Sequence, residues 1–197
     1  MHGNARNIRV GSGFAKHAVS QAYVTWPGAG VQRSGPNPTG LASHGPLRHF
    51  QGVITRRATA ADAASISALI NLYVASGTLL PRSEEFTAMY AHEFIVVEND
   101  GRVVGCVHLD EYSPSLAELR SLAVDPGAQG AGIGRELVSA TEHFARARDY
   151  ATLFAVSNDT EFFARFGFER RNIPELDLER SEVSRYKGVF AKDLSPE

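Results

Sequence analysis

Apolar positions along this chain follow two periods, and the switches between them mark out the elements. Val53-Ile-Thr-Arg-Arg57 predicts a short first strand. Ile66, Leu69, Ile70, Tyr73 and Val74 recur at helical spacing and predict one buried stripe. Ahead of them, Thr59-Ala-Ala-Asp62 resembles a capping box with Asp where Glu or Gln is usual. Gly77 is expected to close that helix, and Ser83 to Tyr90 to form a second, shorter one. Glu93 to Glu98, the turn Asn99-Asp-Gly101, and Arg102 to Leu109 predict a hairpin. Ala117 to Val124 predicts the next strand, and Ile133, Leu137, Ala140, Thr141 and Phe144 the buried face of a helix. Tyr150 to Val156 follows as a strand, then a helix over Asp159 to Phe166 that Gly167 terminates. Phe168 to Arg171 and Tyr186 to Lys192 are the last two strands, with a charged loop over 173–185. The order β-α-α-β-β-β-α-β-α-β-β indicates an α/β domain with a mixed sheet, and several topologies share it.

The first 50 residues carry neither period and are rich in Gly, Ser, Pro and His. Residues 1–51 are therefore expected to be a disordered extension, with one folded domain over 52–197. Charge divides the same way. Residues 1–61 hold seven Arg or Lys and no Asp or Glu, which leaves a tail at +7 and a body at −9. A solvated extension or mis-set start, an organellar transit segment, and a weak arm for an anionic partner all fit such a tail. Pro and Gly interrupt any amphipathic helix after about Trp26, which favours the first. There is no secretory apolar region, and no apolar run reaches the ~18 residues needed to span a bilayer. The single cysteine, Cys106, excludes an intramolecular disulfide and fits a reducing, cytoplasmic setting. Its apolar strand context predicts inert packing.

The strand ending Leu-Ala-Val124 runs through Asp-Pro-Gly-Ala into Gln129-Gly-Ala-Gly-Ile-Gly134 and then a helix. Glycines there let backbone N–H groups approach a ligand closely, and the helix adds the positive end of its dipole. That is a cradle for phosphate oxygens and points to a cofactor carrying a pyrophosphate. A P-loop is excluded because Arg135-Glu136 stands where Lys-Ser/Thr is needed. A dinucleotide fingerprint fits poorly: the spacing is G-x-G-x-G, and the next strand ends in Ser157-Asn158. A tight turn with no ligand is the alternative.

This spacing after Leu-Ala-Val-Asp-Pro resembles the acetyl-CoA loop of GNAT-type N-acetyltransferases. Asn158-Asp-Thr-Glu-Phe-Phe-Ala-Arg-Phe-Gly-Phe168 resembles the family's late helix and Gly-Phe exit, and the likeness runs from about Val53 to Leu194. It implies the GNAT fold, a partly splayed sheet in which the pantetheine arm lies between the strands flanking the glycine-loop helix. It also implies acetyl-CoA as co-substrate, with no metal.

Acetyl transfer to an amine needs a neutral amine, an in-line approach, a donor for the oxyanion and a proton for the departing thiolate. The resemblance implies that the Leu122 N–H serves the oxyanion and that the backbone of Leu122, Ala123 and Val124 pairs the pantetheine. Gln129, Gly130, Ala131, Gly132, Ile133, Gly134 and Arg135 would hold the pyrophosphate through backbone N–H groups. Glu118 is the candidate base, with a structural carboxylate paired to Arg120 or Arg102 as the alternative. His108 is a competing base. The thiolate's proton is left to water, to Ser157 or to direct transfer from the amine, and Ser157 and Asn158 are both placed to hydrogen-bond cofactor or substrate. Many relatives place a tyrosine where this chain has Phe163, which cannot donate a proton but would still lie beside the cofactor.

Thr78-Leu-Leu-Pro-Arg-Ser83, Val104-Gly-Cys106, Ala117 to Val124 and Glu161 to Phe168 are similar to the acetyltransferase domain of N-acetylglutamate synthases. That likeness implies glutamate as acceptor, in the first step of arginine biosynthesis, with Arg82, Ser157, and Arg185 with Lys187 holding its carboxylates. Arginine binds carboxylates bidentately, and a dianionic acceptor needs at least two cationic anchors. Solvated surface charge is the alternative for each. Two departures stand out. No amino-acid-kinase domain accompanies these motifs, so inhibition by arginine is not carried over. Asp110 aligns where some relatives have lysine, which opposes an acidic acceptor and leaves glutamine or another amino acid open. Another small amine, a protein N-terminus, or a non-catalytic acyl-CoA sensor are rival functions. The expected partner is a small-molecule amino acid, with neither nucleic acid nor membrane, and a homodimer stays open.

Overall fold

The computed structural model describes residues 53–176 and 187–194. The expected extension over 1–51 lies outside them, as does Arg185. Among the described residues the elements follow the predicted order. They are β1 (Val53–Arg57), α1 (Ala63–Asn71), α2 (Glu84–Met89), β2 (Phe94–Asn99), β3 (Arg102–Ser113) and β4 (Leu116–Val124). After these come α3 (Ile133–Arg146), β5 (Thr152–Ser157), α4 (Thr160–Ala164), β6 (Glu169–Arg170) and β7 (Gly188–Asp193). The strands form one sheet in the order β1-β2-β3-β4-β5-β7-β6.

Two boundaries differ from expectation by more than two residues. The first helix ends at Asn71, not at Gly77, because Tyr73 and Val74 donate only three residues back and the chain tightens into turns. Strand β3 runs to Ser113 because residues 109–111 keep pairing with β4, Asp110 opposite Glu118 among them. The capping box forms as predicted: Asp62 accepts from the Thr59 backbone and is clamped by the Arg56 guanidinium at 2.8 Å. That clamp holds the Asp62 carboxyl well below the usual carboxylate range.

One junction in the sheet positions the site. All paired neighbours are antiparallel except β4 and β5, which need a crossover, and α3 supplies it. These two strands pair only from Leu116 opposite Thr152 to Glu118 opposite Phe154. Beyond Glu118, β4 stays with β3 as far as Val124 and β5 stays with β7 as far as Ser157. The sheet therefore forks. Leu119 to Val124 are all buried, yet the edge of β4 facing β5 has no strand beside it there.

Helix α3 packs against β3 closely enough that Gly105 is required. A Cβ at that position would lie 2.7 Å from Ile133 Cγ2. Cys106, next to it, is fully buried, and burial pushes its thiol up to about 12, as inert packing predicts.

Candidate active site

At the C-terminal end of β4 the chain enters a short 3-10 turn over Pro126–Ala128, capped by Asp125. Gly130 and Gly132 then adopt φ of 80° and 86°, which L side chains rarely take up. A Cβ at either would meet nothing within 4 Å, so the backbone there faces open space. Gly132 is also the N-cap of α3, and no side chain caps that helix. The first N–H groups of α3 thus keep their donors, backed by the helix dipole. They open on a cleft of ≈ 240 Å³ lined by the loop, Val124, Arg135, and Phe162, Arg165 and Phe166 from the α4 side. A diphosphate fits such a donor set.

A long-range strut fixes the loop. The Tyr73 hydroxyl donates to the Val124 carbonyl and accepts from Gln129 Nε2 at 2.8 Å. Burial raises the Tyr73 phenol, which keeps it a donor. Tyr73 was recognised in the sequence only as part of a buried stripe. Gln129 contributes here through its side chain, to the loop itself.

Inside the fork, β4 carries a bulge. Pairing steps from His108 opposite Arg120 to Cys106 opposite Ala123, so Ser121 and Leu122 together face Val107. Ser121 takes φ of 49°, and its buried hydroxyl has no hydrogen-bond partner among the described residues. The bulge takes the Leu122 backbone out of regular pairing with β3.

Glu118 sits where the fork opens and is 1% exposed. It belongs to a buried charged cluster on β3 and β4. Arg120 Nη1 lies 2.6 Å from Asp110, and Arg120 Nε lies 3.7 Å from Glu118. The expected Arg120 partnership of Glu118 is therefore present, at a distance that leaves Asp110 as the closer partner. His108 bonds Glu93 at 3.1 Å and stacks on Phe94, and burial lowers its pKa against the opposing pull of Glu93. The Glu93 bond and the Phe94 stack fix this buried imidazole in place beside Asp110. Glu93, His108 and Asp110 bring ligand-type atoms within 4.8 Å of one another. The Arg120 guanidinium already supplies the cation beside Asp110.

Arg82, just ahead of α2, is 4% exposed and lies 5.1 Å over the Phe86 ring. Phe86 meets His108 edge-on, so Arg82 and the buried cluster share one continuous contact row. Solvated surface charge does not describe Arg82. On the other side of the fork, Ser157 is fully buried and accepts from the Asp159 N–H at 3.0 Å. Ser157 pairs with Gly188, which puts Lys187 at the same end of the sheet. Burial pulls the Lys187 amine down to about 8.

One expected cofactor contact is placed differently. Phe163 is fully buried, ringed by Phe162, Phe168 and Phe190, because α4 docks by that face. Phe162 and Phe166 line the cleft in its stead. Ala123 is buried in the core, so only its backbone is available. Ala131 lines an adjoining recess with Val53, Thr55 and Glu136, and Gly132 and Ile133 border both. Asn158 is exposed beyond the end of β5, and Ile133 and Gly134 line the cleft as expected. Arg165 was not foreseen as a cleft residue.

A family model for the acetyltransferase (GNAT) domain matches residues 90–170. The amino-acid acetyltransferase of Mycobacterium tuberculosis is 37% identical over 119 residues, 58% of this chain and 67% of that protein. The chain belongs to the GNAT acetyltransferase family. The amino-acid acetyltransferase of Neisseria meningitidis is 30% identical over 190 residues, which cover 95% of this chain and 40% of that protein. N-acetylglutamate synthase from Neisseria gonorrhoeae, solved with coenzyme A and N-acetyl-glutamate, superimposes with a TM-score of 0.66 and 33% identity. That match covers 73% of this chain and 35% of the synthase. This chain thus spans well under half the length of both Neisseria proteins. The GNAT match includes Glu118, the glycine loop and Ser157. It stops short of Arg82 and Lys187 on either side.

Proposed function

We propose that this chain moves acetyl from acetyl-CoA to the α-amino group of an amino acid, with L-glutamate the first acceptor to test, the reaction that opens arginine biosynthesis. The fork carries this reading. Beyond Glu118 the buried β4 has no paired strand on its β5 side, which leaves room there for a peptide-like partner. An extended amide-bearing arm supplies that partner, and the uncapped α3 N-terminus at its far end suits a diphosphate.

Bound acetyl-CoA supplies an activated acyl thioester at the fork. Leu122 donates its N–H to the oxyanion, and Glu118 takes the amine proton directly or through water. The second proton of the attacking nitrogen passes to the departing thiolate, directly or through water, and the Ser157 hydroxyl donates a hydrogen bond on that side. Arg82 and Lys187 hold the acceptor's carboxylates. Burial of Arg82 supports its part, since a guanidinium withdrawn from water binds a carboxylate more strongly.

The test is thiol release from acetyl-CoA by the purified full chain against the twenty amino acids and spermidine. Glutamate turnover that disappears in Arg82→Ala supports the proposal. Turnover of spermidine alone, or coenzyme binding with no turnover of any acceptor, overturns it.

A further inference from the structure

Two buried carboxylates compete for one guanidinium where the fork opens. Asp110 on β3 and Glu118 on β4 stand directly opposite each other in the ladder, and both are buried. Like charges placed that way repel. Arg120 stands two residues after Glu118, on the same face of β4, and is fully buried. It does not serve the two carboxylates equally. Its Nη1 donates to Asp110 at 2.6 Å, whereas its Nε lies 3.7 Å from Glu118, beyond hydrogen-bond reach. The charges on neighbouring elements are engaged elsewhere. His108, opposite Arg120 on β3, is bonded to Glu93, and Arg82 lies over Phe86. From β5, Glu118 faces Phe154, which carries no charge. Glu111, next to Asp110 in the chain, is exposed and accepts from the Tyr150 hydroxyl at 2.7 Å.

We propose that Asp110 is a positioning residue, which keeps Glu118 basic by holding the Arg120 guanidinium away from it. This rests on the reading of Glu118 as the group that takes the amine proton. A carboxylate in hydrogen-bonded contact with a guanidinium is a weak base, because its ionised form is stabilised. Proton transfer is most effective when the base's affinity for the proton matches the working pH. With Asp110 occupying Arg120, Glu118 is spared that contact. Without Asp110, Arg120 is free to turn to the carboxylate two residues before it.

The pH profile of kcat tests this on the full chain, with acetyl-CoA and the best acceptor of the panel above, both saturating. The acid limb that belongs to Glu118 is the one that Glu118→Gln removes. Asp110→Asn is expected to move that limb to lower pH by about one unit or more, and Arg120→Gln to higher pH by a similar amount. The double variant, with both neighbours neutral, is expected to return within about half a unit of wild type. Glu111→Gln removes a carboxylate from the opposite face of β3 and is expected to leave the limb in place. The position of the limb does not depend on how much enzyme is folded, and each single variant tests the claim alone where the other fails to fold. A limb unmoved in Asp110→Asn, or moved the same way by both single variants, overturns the positioning role and leaves the base role of Glu118 standing. A wild-type limb that survives in Glu118→Gln overturns both.

Discussion

Arg120 Nη1 lies 2.6 Å from Asp110 Oδ2, with the guanidinium fully buried between β3 and β4. Asp110 is therefore not the isolated negative charge that its alignment suggested. Its field is compensated at contact distance, so it does not by itself exclude an acidic acceptor. Removing one member of a buried pair leaves the other charged in a poor solvent, at a cost of about 3–5 kcal/mol. Asp110→Asn should lose about that much in urea unfolding. Asp110→Leu with Arg120→Met should recover only part of it, because Arg120 is also the cation beside buried Glu118. An unchanged midpoint in Asp110→Asn would show that the pair is solvated.

Glu118 stands at the mouth of the fork, 3.7 Å from Arg120 Nε. A carboxylate that takes the amine proton contributes about 10²–10⁴-fold to turnover. Glu118→Gln should lower kcat within that range and leave coenzyme A affinity unaltered, since the glycine loop is separate from it. Intact coenzyme binding then doubles as the folding control. A loss of less than about tenfold would move the base role to another group.

The β–α order and the glycine loop were legible because each leaves a local mark. Gly130 and Gly132 need positive φ, and strands such as β2 are continuous apolar runs bounded by turn residues. The remainder depends on docking. Phe162 and Phe163 are chemically alike neighbours, and only the angle at which α4 meets β7 decides which ring is core and which lines the cleft. The Tyr73–Gln129 strut joins residues far apart in the chain and has no motif. Burial of Arg82 did have a signal, because Phe86 stands four residues on and an arginine beside an aromatic ring often stacks. The bulge at Ser121 left none, since serine is unremarkable in a strand.

Ser121 tests whether that bulge matters to chemistry. At φ of 49° a β-branched side chain is strained by about 1–2 kcal/mol, whereas glycine fits without strain. Ser121→Gly should keep near-normal turnover and stability and removes a buried hydroxyl that lacks a partner among the described residues. Ser121→Val should lose stability by about that amount and reduce kcat more than it raises the KM for acetyl-CoA, because the displaced group is the Leu122 N–H. Equal kcat values in the two variants would leave the bulge with no catalytic part. Thermal unfolding and steady-state kinetics on both decide it.

Lys187 makes the pH dependence specific. Burial holds its amine at about 8, against an ordinary value of 10.5. Between those two values the unfolded chain binds the extra proton, so this group's contribution to stability improves as pH rises through that window. Its contribution to acceptor binding has the opposite sign. The positive charge that meets a carboxylate is lost as pH rises through about 8 in the free protein. The amino-acid kcat/KM should therefore turn down above about pH 8, even though the acceptor amine is better deprotonated there. Lys187→Arg, which stays charged, should carry the profile upward through the same range. Identical downturns in wild type and Lys187→Arg would assign the limb to a different group and remove Lys187 from the acceptor site.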